Sequence, residues 1–124
     1  DHFKKINDTY GHDAGDVVLK GFADIMQNSC RREDVLVRFG GEEFILALPN
    51  TALEQAVLVA EKIRAKVVQA PLIPDNKVSA SFGVSSYGPQ DTQDSLIKRA
   101  DDALYQSKKN GRNRVTSAAS EHKA

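Results

Sequence analysis

The stretch that most limits what this chain can fold into is Arg38-Phe39-Gly40-Gly41-Glu42-Glu43-Phe44, running into Ile45-Leu46-Ala47-Leu48. Val35, Val37 and Phe39 alternate with Leu36 and Arg38, the period-2 pattern of a strand, and a second apolar run follows the glycines. Gly40-Gly41 therefore reads as the tight loop of a β-hairpin, where positive φ is needed. Neighbours in a strand point to opposite faces, so one of Glu42 and Glu43 can face a site while the other braces the turn. Acids at a glycine turn are ordinarily just solvated. Beside a buried strand, a metal ligand or general base on a rigid hairpin is the other reading.

Around that hairpin, 124 residues make one domain with a single core. Basic and acidic residues number 17 each, so a nucleic-acid partner has no electrostatic support. Cys30 is the single cysteine, which excludes an internal disulfide and suits a reducing cytoplasm. No apolar run approaches membrane-spanning length, and no signal peptide is present, so no membrane contact is expected of this domain. The chain begins at Asp1 without a methionine and reads as a piece of something longer.

Residues Asp1 to Asp16 are dense in turn formers and read as a structured loop entering a helix. Tyr10 falls where an EF-hand opened by Asp8 would need its third-position ligand, which excludes that motif. His12 has no His or Cys at ligand spacing and reads as a local hydrogen-bonding residue. Val18, Leu19, Phe22, Ile25 and Met26 recur at helical spacing, predicting a helix from about Ala14 to Cys30. Pro49-Asn50 closes the hairpin, and Thr51-Ala52-Leu53-Glu54 has the form of a capping box. The helix it opens carries Leu53, Ala56, Val57, Ala60, Ile63 and Val67 on one face.

Pro71 and Pro74 stop that helix, and Asp75-Asn76 turns the chain. Val78, Ala80, Phe82 and Val84 alternate as another strand. Asp91 or Thr92 caps a last helix bearing Leu96, Ile97, Ala100 and Leu104, which ends at Asn110-Gly111. A short strand over Arg114 to Thr116 completes a domain of residues 1–116, and the polar tail 117–124 is expected to be disordered. The order of elements predicts an α/β sandwich with one mixed, mainly antiparallel sheet and flanking helices. Lys108, Lys109, Arg112 and Arg114 cluster after the last helix. Pairing with the helix C-terminus explains them, and so does a polyphosphate clamp.

Four separated motifs carry a resemblance. Asp-His-Phe-Lys-Lys-Ile-Asn-Asp-Thr-Tyr-Gly-His-Asp-Ala-Gly-Asp opens the chain, and Arg-Phe-Gly-Gly-Glu-Glu-Phe follows. Ala-Ser-Phe-Gly-Val and Arg-Ala-Asp-Asp-Ala-Leu-Tyr-Gln-Ser-Lys-Lys-Asn-Gly-Arg-Asn come after them in order. From Asp1 to about Val115 the chain resembles the GGDEF family of diguanylate cyclases. The resemblance implies a bacterial signalling transferase, with a sheet similar to that of adenylyl cyclases and polymerase palms. It condenses two GTP molecules into cyclic di-GMP and two pyrophosphates with Mg²⁺ (or Mn²⁺). Each domain holds one GTP, and two domains face each other as a homodimer, usually under an upstream sensor or regulatory domain.

Carried onto this sequence, the resemblance makes Glu42 the metal-binding and catalytic carboxylate, with Glu43 beside it in support. Asn7, His12 and Asp16 match base-binding positions. Phe3 and Lys4 match the phosphate cradle, and Lys108 and Arg112 the distal phosphate contacts. Arg31-Arg32-Glu33-Asp34 fits the family's RxxD inhibitory motif, with Val35 to Phe39 separating it from Gly40. Arg31 and Asp34 would grip the product, and Lys62 lies where a further basic contact is often supplied. A non-catalytic module that binds cyclic di-GMP or GTP is the alternative function; such receptors usually have a broken hairpin motif. The resemblance also implies a strand before Asp1, ending in a further metal-binding aspartate. Without it the 124-residue chain is expected to be inactive, with a sheet that is incomplete or filled by a partner.

Overall fold

The computed structural model describes residues 1–39, 42–72 and 78–118. It is an α/β fold built from α1 (Phe3–Tyr10), α2 (His12–Asn28), β1 (Val35–Arg38) and β2 (Phe44–Ala47), followed by α3 (Leu53–Gln69), β3 (Phe82–Val84), α4 (Gln93–Lys109) and β4 (Val115–Ser117). The hairpin forms, with β1 and β2 antiparallel, Val35 opposite Ala47 and Arg38 opposite Phe44. The expected buried face of β1 is reversed: Val35, Val37 and Phe39 are exposed, and Leu36 is the β1 residue packed against the core. The Phe39 amide extends the pairing by donating to the Glu43 carbonyl at 2.8 Å. Gly40-Gly41 and Asp75-Asn76 lie outside the described residues. None of the described helices is long and apolar enough to cross a membrane.

Several sequence expectations need correction. The opening segment is not a loop but a helix, because Phe3 and Ile6 lie three apart on one face and Ile6 is buried in the core. Gly11, at φ 92°, separates that helix from α2, which starts earlier than expected, at His12. The capping box at Thr51 does not form. Ala52 is the cap residue of α3, and the Thr51 hydroxyl instead serves Arg31 and Pro49. The last strand runs on to Ser117, and the Ala118 amide donates to the Val84 carbonyl at 2.7 Å, so residues 117 and 118 belong to the fold. Residues 119–124 lie outside the described residues.

One mixed sheet was the expectation; among the described residues there are two ladders, β1–β2 antiparallel and β3–β4 parallel. Residues 78–81 keep the predicted alternation, with Val78 and Ala80 buried, yet the ladder begins only at Phe82. Packing joins the two pairs. Phe22 of α2 meets Phe44 of β2 edge-on at 5.2 Å and lies 6.5 Å from Phe82 of β3. Around these rings, Ile6, Val18, Met26, Ile63, Val67, Val78 and Ala80 form the core. Ile63 and Val67 of α3 are almost wholly withdrawn from water, each worth about 1.5–3 kcal/mol in transfer free energy.

On the other face of β3 the helix α4 lies unusually close. A methyl group at Gly83 would come within 2.0 Å of the Ala100 carbonyl oxygen and 2.3 Å of the Leu104 amide nitrogen. The Ser107 hydroxyl, fully buried, donates to the Phe82 carbonyl at 2.8 Å and shares a 2.7 Å bond with Thr116 Oγ1, so one side chain ties α4 to β3 and β4. At the other end of α4, Thr92 and Ser95 form a capping box. Asp91 accepts from the Gly88 amide, Ser95 Oγ and Arg99, and the Arg99 guanidinium also donates to the Ser86 carbonyl at 2.7 Å.

Two expectations follow. Gly83→Ala forces backbone against backbone, where neither side can yield by a rotamer change. It is expected to cost about 3 kcal/mol, read as a lower urea midpoint. The bond from Arg99, then those from Gly88 and Ser95, holds the Asp91 carboxyl down at about 2. A depressed carboxylate stabilises the fold above its unfolded pKa of about 3.9, and that contribution is lost as pH falls through the folded value. Asp91→Asn should therefore lower Tm at neutral pH, with the gap to wild type closing between about pH 4 and pH 2.

Candidate functional site

The residues singled out from sequence fall into three neighbourhoods. In the first, the α1–Gly11–α2 junction sets Asn7 against the start of α2. A methyl at Gly15 would sit 1.8 Å from Asn7 Oδ1 and 3.1 Å from the Phe3 ring, so only glycine lets the amide lie flat on the helix there. Asn7 Oδ1 is buried and has no hydrogen-bond partner among the described residues. Such an oxygen costs free energy until a donor reaches it. Asp16, next along α2, is exposed, as is His12 in the first turn. The junction therefore offers two acceptor side chains, one buried and one open, near the same glycine.

The second neighbourhood gathers around the start of α1. Burial holds the Asp1 α-amino group below its ordinary pKa; Glu42 opposes that shift, while Lys108 and Arg112 add to it. His2 is likewise held low, by desolvation first and then by Arg112, the Asp1 ammonium and Lys5. Glu42 of the hairpin, Lys108 in the last turn of α4 and Arg112 in the turn after it thus act on a single point. The amides around Phe3 belong to the first turn of α1, not to a loop, and His2 at the helix cap gives them no side-chain acceptor. Lys4 is exposed in the same turn. Arg112 and Lys108 are half-buried and form no ion pair with a described residue, which leaves both charges available to an anion.

Glu42 and Glu43 are both exposed, and the Glu43 main-chain carbonyl accepts from the Phe39 amide across the hairpin. No group of three or more His, Cys, Asp or Glu side chains converges as a metal cage among the described residues. A divalent ion that arrives with phosphates and keeps its waters needs only one or two carboxylates, and the exposed Glu42 is one that the hairpin offers. The Asp1 carboxylate is already engaged: Ser81 Oγ donates to Oδ1 at 2.7 Å, and Ser79 Oγ and the Asn113 amide donate to Oδ2 at 2.8 and 3.1 Å. Sequence reading missed these partners, although Ser79 and Ser81 alternate on one face of the predicted strand.

The third neighbourhood is the loop before β1. Arg31 Nη2 donates to Thr51 Oγ1 at 2.7 Å, to the Pro49 carbonyl at 3.1 Å and to Asp34 Oδ1 at 3.2 Å. Its backbone amide donates to Asp34 Oδ2 at 2.7 Å. Arg31 and Asp34 are thus brought together, and they clamp the loop before β1 to the turn after β2. Lys62 is exposed on α3 and joins no hydrogen bond or ion pair with a described residue.

A family model described as "Diguanylate cyclase, GGDEF domain" matches residues 1–114. Diguanylate cyclase A of Treponema denticola is 51% identical over 120 residues, covering 94% of this chain and 32% of that protein. The chain therefore spans about a third of the length of that curated relative. Among solved structures, the active GGEEF domain of a diguanylate cyclase from Vibrio cholerae superposes with a TM-score of 0.92 at 39% identity, over 98% of this chain and 79% of that one. The GGDEF domain of DgcB from Caulobacter crescentus, solved in complex with c-di-GMP, gives a TM-score of 0.92 at 36% identity, over 97% of this chain and 74% of that one.

Proposed function

Because this chain belongs to the GGDEF family of diguanylate cyclases, we propose that it is the nucleotide-binding unit of a cyclase that condenses two GTP molecules into cyclic di-GMP and two pyrophosphates. The buried, unpartnered Asn7 Oδ1 carries the reading. Guanine presents N1–H and N2–H₂ side by side, donors that Asn7 and Asp16 can accept together. Adenine has a lone pair at N1, which would leave the Asp16 carboxylate facing an acceptor. His12 lies at the mouth of the same junction and would line it.

The first-turn amides of α1 around Phe3 and the Lys4 ammonium would receive the triphosphate, with Lys108 and Arg112 on its distal phosphates. Glu42 would hold the divalent ion, Mg²⁺ or Mn²⁺, whose contribution when bound is to neutralise charge on the reacting phosphate. The same carboxylate would accept the proton of an attacking 3′-hydroxyl, and Glu43 would steady it through the hairpin. Ring closure needs a second domain facing the first, so a homodimer is the working form, in a bacterial cytoplasm and under a regulatory domain. The two unjoined ladders support the further reading that the 124-residue chain alone is inactive. Activity is therefore to be tested in the protein extended upstream by roughly 40 residues, a step toward ordinary domain size.

That longer protein is expected to release pyrophosphate from GTP with Mg²⁺, whereas a receptor would bind cyclic di-GMP without turnover. Asp16→Ala should lower kcat/KM for GTP about 10- to 100-fold, the scale of a lost bond to a charged group, while ATP is affected little. An unchanged GTP to ATP preference in steady-state kinetics would remove Asp16 from the base site.

Product inhibition is proposed at Arg31 and Asp34, with Lys62 as an outlying cation. Arg31→Ala is expected to weaken cyclic di-GMP binding by about 2 kcal/mol in calorimetry. Thr51→Val serves as the control, because it loosens the Arg31 clamp and keeps the cation. If both variants bind the product like wild type, the motif here only ties two loops together.

A further inference from the structure

Three segments meet at the Asp1 carboxylate: the start of α1, the run from Ser79 to Ser81 that leads into β3, and the turn after α4 that carries Arg112. That turn has an uncommon backbone. Arg112 and Asn113 stand at φ 63° and 47°, two successive non-glycine residues in the left-handed region. Such conformations persist only where the surroundings over-determine them. Here the Arg112 amide donates to the Ser107 carbonyl at 2.9 Å, Arg64 Nη1 donates to Asn113 Oδ1 at 2.9 Å, and the Asn113 amide donates to Asp1 Oδ2. The first two anchor the turn to α4 and α3. The Asn113 amide is shared with Ser81 Oγ at 3.2 Å, and among the described residues its bond to Asp1 is the one that ties the turn to the segment that opens α1, where Phe3 and Lys4 lie.

We propose that Asp1 is a positioning residue: its carboxylate, filled by two serine hydroxyls and the Asn113 amide, fixes the Arg112–Asn113 turn at the distance from α1 that lets both grip one triphosphate. The proposal rests on the reading of Arg112 as a phosphate contact. An ionised carboxylate has about four lone-pair sites, and three are taken by protein donors, so Asp1 is poor as a metal ligand and good as a strut. Both its donors from the β3 approach are hydroxyls, which bind an anion without adding charge beside Lys108 and Arg112. The Arg112 charge reaches His2, which agrees with the turn being held against the start of α1.

The test is a double-mutant cycle in the upstream-extended, active protein, with MgGTP as the varied substrate. Asp1→Asn keeps the shape but turns one acceptor oxygen into a donor facing a hydroxyl or the Asn113 amide. It should raise KM about tenfold with kcat within about twofold, and adding it to Arg112→Ala should raise KM no further than Arg112→Ala does alone. The Mg²⁺ concentration for half-maximal rate should stay where it is in wild type. Multiplying effects on KM, or a raised Mg²⁺ requirement with a loss of kcat, would overturn the proposal in favour of an independent role or a metal ligand. If Arg112→Ala alone leaves KM unchanged, the phosphate reading fails and takes this proposal with it. Should Asp1→Asn not fold, Ser81→Ala removes one strut and should raise KM in the same Arg112-dependent way; an effect independent of Arg112 would count against the proposal.

Discussion

The contact on which the rest of the structure depends is the approach of the α4 backbone to Gly83. No side chain separates helix from strand there, so the distance between them is fixed by main-chain atoms alone. Ser107, one turn further along the helix, then meets the Phe82 carbonyl and Thr116 at ordinary hydrogen-bond length, which would fail if the helix stood a methyl group further out. Through Ser107 the C-terminal end of α4 is placed, and with it Lys108 and the Arg112 turn. A steric fact at one glycine thus sets the position of two charges on residues distant in sequence. Phe82, pointing the other way, carries the same strand into the core beside Phe22.

The candidate site is assembled from element ends, where a chain can present groups that its own ladders do not consume. The start of α1 offers amides, the end of the hairpin offers Glu42, and the end of α4 offers Lys108. None of these groups is spent on an internal ion pair among the described residues. Elsewhere the chain pairs its charges readily, as in Asp91 with Arg99 and Glu61 with Arg64. Uncommitted charges of both signs near one point concentrate electrostatics on that point.

Much of this was legible because it rests on periodicity. The hairpin, the buried face of α3 through Ala60, Ile63 and Val67, and the limits of α4 follow from spacing and capping residues. What escaped was decided by competition between distant partners. Thr51 has the sequence of a cap, but Arg31 claims its hydroxyl, and the cap falls to Ala52. Asn7, Asp8 and Thr9 looked like loop residues, yet burial of Ile6 and the close seat of Asn7 on Gly15 stabilise a helix through them. The alternation from Val78 to Val84 gave the right faces but not the ladder, because pairing depends on a neighbour that local pattern does not name. The grip on Asp1 was invisible for the same reason: its three donors come from positions 79, 81 and 113.

The seam between the two ladders has a mechanical meaning. Phe22 bridges Phe44 and Phe82 by ring contacts, and apolar contact tolerates a small slide that a hydrogen-bonded register forbids. The α4 side is pinned to β3 by main-chain contact at Gly83 and by Ser107. The hairpin is held against the core by rings and aliphatic groups instead. Thinning the Phe22 ring would therefore loosen the hairpin from β3 while leaving the seat of α4 as it is.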